Sequence, residues 1–139
     1  MWIRDRGNAL RRPFHWILEF PEVFNRQPSG FDAVVGNPPF LGGKRISTVM
    51  GAGYNAYLVD IHAGASKNMD LVAHFFRRAF GLLTQGGCFC LIATNSLAAG
   101  DTRQGGLWRL LQQEAALDSA HPTEPWPGAD ATLNGRPQS

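Results

Sequence analysis

The strongest periodic signal in the chain is NMDLVAHFFRRAFGLL, residues 68–83. Leu71, Val72, Phe75, Phe76, Ala79, Phe80 and Leu83 recur at helical spacing, and Arg77 and Arg78 fall outside their stripe. This predicts a helix capped by Asn68, with Asp70 in a first turn that suits a carboxylate, and ended by Gly86 and Gly87. Two other runs, FDAVVG (31–36) and CFCLIAT (88–94), are apolar without clean alternation, the pattern of strands covered on both faces. FHWILEFPEVF (14–24) reads as a short strand, stopped at Pro21 and followed by a turn, and RQPSG (26–30) as a loop. LWRLLQQEAAL (107–117) reads as a helix, and NSLAAGDTRQGG (95–106) as the loop before it. The Gly-rich segment 41–67 yields one short helix, YNAYLVDIHA (54–63). A segment this long between core elements is usually functional or mobile.

The order is strand, Pro-rich loop, long connection with a helix, buried strand, loop, helix. It predicts an α/β fold in which two parallel strands are joined by a right-handed crossover. Ligands of such sheets bind beyond the carboxyl ends of the strands. Two loops start there, Asn37–Phe40 and Asn95–Asp101, and are expected to share one cleft.

Composition adds bounds. The 139 residues suit one small domain, and 44% apolar residues exclude disorder throughout. The formal charge of +2 is compatible with an anionic partner. No apolar stretch approaches the roughly 18 residues of a membrane span. The N-terminus, MWIRDRGNALRRPF, is basic without an apolar core, so the expected location is the cytoplasm. Cys88 and Cys90 share a strand face and are expected as small buried residues, with no metal site. His15 and His74 are expected as packed or surface histidines. Residues 1–13, with Arg4, Arg6, Arg11 and Arg12, read as an arm; residues 118–139, rich in Pro and Gly, read as an unstructured tail.

The candidate chemistry lies in FDAVVGNPPFLGG, 31–43. Adjacent prolines cannot continue a helix or sit in a central strand. A rigid turn carrying Asn37 and Phe40 therefore follows the strand. An exocyclic aromatic amine, such as N6 of adenine, is a poor nucleophile because its lone pair is delocalised into the ring. Two acceptors that take hydrogen bonds from its N–H groups draw the nitrogen toward a tetrahedral shape and free the lone pair. The Asn37 side-chain oxygen and the Pro38 carbonyl, stiffened by Pro39, are candidates. Phe40 offers a flat face on which an extruded base could stack. No strong base is needed, since the proton becomes acidic once a methyl group arrives. The alternative is a plain Pro-rich turn with Phe40 in the core.

FDAVVGNPPF resembles the amino-group methyltransferases, whose catalytic loop reads Asn/Asp-Pro-Pro-Tyr/Phe. FHWILEFPEVF, GNPPFLGGKRI, DLVAHFFRRAF, GGCFCLIATNSLAAGDTRQGGL and PWPG further resemble successive blocks of the large adenine-specific DNA methyltransferases of restriction-modification and phage-defence systems. This resemblance implies a partial, incomplete Rossmann-like fold dependent on S-adenosylmethionine, with 14–117 as a piece of the catalytic domain. It implies that Asn37 and Pro38 hold the target amine, that Pro39 belongs to the same catalytic loop, and that Phe40 stacks on the base. It places Asp70, Leu71 and Phe75 beside the cofactor, and Asn95 and Ser96 at the border of the base pocket. Lys44, Arg45 and Arg103 would meet DNA phosphates, or be ordinary solvated charges, with an Asp101–Arg103 ion pair as the alternative for the last.

The family's Gly-rich methyl-donor turn is not recognisable before Asn37. The chain is therefore expected to be inactive alone, with double-stranded DNA as partner and a second chain as the candidate source of donor binding and target recognition. The other readings are a non-catalytic remnant or nucleic-acid-binding subunit, or a methyltransferase acting on RNA or on protein glutamine.

Overall fold

The computed structural model describes residues 14–113 and 115–120. The expectations for the arm over 1–13, and for the tail beyond 120 with its PWPG block, fall outside these residues.

Two short helices, α1 (Trp16–Glu19) and α2 (Pro21–Phe24), replace the strand expected over 14–24. Pro21 starts α2 rather than stopping an element, because its fixed φ and missing N–H suit a first helical position. The aromatic residues gather as rings around Phe31: Trp16, Phe20 and Phe24 lie edge-on to it at centroid distances of 5.6, 5.5 and 5.4 Å.

β1 (Phe31–Gly36) matches the expected strand. Helices α3 (Gly43–Met50) and α4 (Ala52–Ile61) organise the Gly-rich segment, and α5 (Leu71–Phe80) carries the apolar stripe. α5 begins at Asp70 rather than Asn68, and Gly81 ends it. The chain then enters β2 (Leu83–Leu91) at once, five residues before the expected strand start. Gly86 and Gly87 therefore lie inside β2 and do not terminate the helix. They sit at a register shift, where the strand bulges past Phe31–Ala33, and a side chain at Gly87 would press on the Phe31 carbonyl oxygen.

β1 and β2 pair in parallel, with Val34 opposite Phe89, Val35 opposite Cys90 and Gly36 opposite Leu91. The α3–α5 connection crosses over between them. This is a mixed α/β unit of the partial Rossmann-like kind.

The sheet is covered on one face. Phe89 and Leu91 pack on Val72, Phe76 and Leu110. The other face is open among the described residues: Val35 is 81% exposed, and Cys88 and Cys90 are exposed thiols rather than buried ones. A second cluster joins Ile46, Leu58 and Leu71, with Leu41 and Tyr54 against it, and fixes α3 and α4 on the start of α5.

After β2 come a 3₁₀ turn (Asn95–Ala98), α6 (Gly100–Thr102), a π-helical turn (Arg103–Leu107) and α7 (Trp108–Leu111). Most of the loop expected before Leu107 is thus helical, and the helix ends at Leu111 rather than 117. Gly105 and Gly106 are buried here because their backbone packs directly on Met69 and Ala73, where no side chain fits. No helix among the described residues is long and apolar enough to cross a membrane.

Candidate active site

The end of β1 sets the site. Gly36 pairs with Leu91, and its carbonyl accepts a hydrogen bond from the Ile92 N–H at 3.2 Å. The chains leaving the two strands therefore start side by side at the carboxyl edge of the sheet. One carries Asn37, Pro38, Pro39 and Phe40; the other carries Thr94, Asn95 and Ser96.

Within the first loop the side chains divide. Pro38 is buried, Asn37 is exposed, and Phe40 is 37% exposed. The prolines stiffen the turn. The amide and the ring face outward, as a site for an outside ligand requires, and Phe40 is not absorbed into the core.

The loop's far end is pinned. The Leu71 N–H donates to the Leu41 carbonyl at 2.9 Å. The Gly43 N–H donates to Asp70 Oδ1 at 3.1 Å. A Cβ at Gly43 would collide with the backbone of Asn68, so only glycine permits this approach. Asn55, buried in α4, supports the same corner: its Nδ2 lies 3.4 Å from the Gly43 carbonyl oxygen, 2.9 Å from Ser47 Oγ and 3.1 Å from the Lys67 carbonyl oxygen. Both ends of the Asn37–Phe40 loop are therefore held, one by the sheet and one by the α5 start.

Lys44 and Arg45 follow on the first turn of α3, both exposed beside this loop. Ser96 shares a 2.7 Å hydrogen bond with Thr94, and Asn95 opens the 3₁₀ turn. Arg103 stands apart from them, on the π-helical turn, and does not pair with Asp101. The Asp101 carboxylate is taken by Ser66 Oγ at 2.6 Å and Asn68 Nδ2 at 3.4 Å. The described residues contain no group of three or more His, Cys, Asp or Glu able to hold a metal.

The positions expected beside a cofactor have local roles. The Asp70 carboxylate receives Gly43, Leu71 is 3% exposed in the core, and Phe75 is 41% exposed on α5. No Gly-rich turn after a strand precedes Asn37 among the described residues. These residues do not by themselves fit a methyl donor.

Sequence reasoning singled out Arg103 but missed the polar groove it lines with Gln104, Trp108, Arg109 and Gln112 beside the π-helical turn, with a volume of about 640 Å³. Its signal was hidden because Arg103 and Trp108 lie five apart and would diverge on a regular α-helix. The π turn, closed by the Trp108 N–H to Arg103 carbonyl bond, lets both line one groove.

A crossover α/β sheet with a rigid polar loop at its carboxyl edge defines the class of protein. Its family follows from comparison: the model of the Eco57I restriction-modification methylases matches residues 3–116. The chain belongs to that methyltransferase family. No curated protein and no solved structure matches it.

Proposed function

We propose that this chain carries the acceptor side of an adenine-N6 DNA methyltransferase. The observation that carries the reading is the Asn37–Phe40 loop. It leaves the carboxyl end of a parallel strand, is anchored at both ends, and turns an amide and an aromatic ring outward. Asn37 Oδ1 and the Pro38 carbonyl would accept the two N–H groups of an extruded adenine amine, and Phe40 would stack on its ring. Lys44 and Arg45 would meet phosphates next to the base. S-adenosylmethionine, the general donor of such families, would supply the methyl group. Its pocket draws on residues other than those described, in this chain or in a second one. The cytoplasm, where DNA and donor meet, is the proposed location.

The test is nucleoside analysis of DNA from the native host, where any partner chain is present. The wild-type gene should give N6-methyladenine at sites that go unmodified when Asn37→Ala replaces it. Methylated cytosine, RNA or glutamine lost in its place, or adenine methylation indifferent to Asn37→Ala, would refute the reading.

A further inference from the structure

We propose that the groove along the π-helical turn and α7 seats the sugar-phosphate backbone of DNA beside the target base, which rests on the DNA reading above. Two guanidinium groups, Arg103 and Arg109, line it, and no carboxylate among the described residues does. The nearest candidate, Asp101, is turned away to Ser66 and Asn68. Among the described residues Arg109 makes a long side-chain hydrogen bond, 3.5 Å, to the Gln112 amide oxygen. Behind them Arg77 is fixed by bonds of 3.0 Å to the carbonyls of Ala63 and Gly105. Burial and the charge of Arg109 both push the Arg77 pKa down, in that order. Cations gathered without counter-charge among the described residues leave a field that an anion relieves.

The shape selects which anion. A volume of about 640 Å³ is far more than one phosphate fills. Trp108, 52% exposed, lines the groove together with the two arginines. Arginine with an exposed aromatic suits a chain of phosphates with sugars and bases between them. The π turn is closed by the Trp108 N–H to Arg103 carbonyl bond, and both residues line the groove. Ala98, at the end of the 3₁₀ turn, also lines the groove. That turn follows β2, whose last residue pairs with Gly36, so a strand in the groove leads back toward the Asn37 loop.

The experiment measures binding of a short fluorescent duplex to the full chain as salt rises from about 50 to about 200 mM. Removing a phosphate contact lowers the slope of log K against log salt by about one per arginine. The double variant Arg103→Gln, Arg109→Gln should therefore lower the slope by about two and weaken binding for every sequence tested. DNA should quench tryptophan emission in the wild type and not in Trp108→Phe. Melting temperatures establish that both variants are folded; should the double variant fail to fold, the Trp108→Phe quenching decides.

An unchanged slope, or quenching retained in Trp108→Phe, overturns the proposal. So does equal displacement by inorganic phosphate at matched ionic strength, which would mark a small-anion site. Loss of groove binding in the arginine variant without any methylated adenine in the host would uphold the groove and sink the methyl-transfer reading; the reverse pattern would do the opposite.

Discussion

Asp70 Oδ1 accepts the Gly43 N–H at 3.1 Å, so the residue that starts α5 caps a different helix, α3. Gly43 is the first residue of α3, one of the positions whose N–H has no partner within the helix. A carboxylate there satisfies the donor and suits the positive end of the helix. The bond also fixes where the Asn37–Phe40 loop ends. Asp70→Ala should therefore cost about 1–2 kcal/mol in denaturant unfolding, and Asp70→Asn, which keeps an acceptor, a fraction of that. Equal losses in the two variants would show that charge rather than the hydrogen bond matters.

Phe40 separates stability from function. Its ring is 37% exposed, so truncation removes little core packing. Phe40→Ala should move the unfolding midpoint by less than about 1 kcal/mol, while base stacking is worth about 1–3 kcal/mol per base. On the proposed function, methyl transfer should drop by roughly ten- to a hundredfold and recover in Phe40→Tyr. A stability loss as large as the activity loss would assign the ring to the fold instead.

β1 was legible because an apolar run ended in residues that cannot prolong it, Gly36 and two prolines. The middle of α5 was legible from its stripe, but its ends were not. Asn68 and Met69 look helical, yet Met69 is fully buried ahead of α5, under Gly105. Tertiary contact, not propensity, set that boundary. Gly86 and Gly87 resemble a helix stop, and only the bulge against Phe31–Ala33 explains them as strand residues. Of the candidate site, the Asn37–Phe40 loop was legible whole, because rigid residues after a strand can do little else. The groove of Arg103 and Trp108 was not, since a π turn leaves no periodic trace.

The pair Gly105–Gly106 shows the same point and is testable. A Cβ on Gly106 would stand 2.7 Å from the Ala73 Cβ, and one on Gly105 2.5 Å from Met69 Sδ. The thioether can move; the α5 surface at Ala73 cannot do so without shifting the helix. Gly106→Val should therefore cost about 1–3 kcal/mol or more by overpacking. Gly106→Val paired with Ala73→Gly should recover part of it. A double variant no more stable than Gly106→Val would place the strain elsewhere.

His62 and His74 bring their Nδ1 atoms to 2.8 Å inside the molecule, and His74 is 2% exposed with its Nε2 atom unpartnered. One ring must donate and the other accept, so the two cannot both be protonated while this contact holds. Burial, then the neighbouring His62 and Arg77, push the His74 pKa down from the ordinary 6.5 to about 4. Burial lowers His62 as well, with Arg77 and Arg78 adding to it and a hydrogen bond donated by the ring to the Leu58 backbone carbonyl opposing. The unfolded chain therefore binds protons that the folded one refuses between about pH 6.5 and about pH 4. The stability from a neutral His74 is fully present above that window and is lost as pH falls through it, by roughly 3 kcal/mol across the range. Melting temperature should accordingly fall between about pH 7 and about pH 4.5. His74→Gln, which removes the titrating ring and keeps a polar partner for His62, should flatten that slope. A wild-type melting temperature that stays level through the window would mean the pair takes up a proton in the folded state without cost.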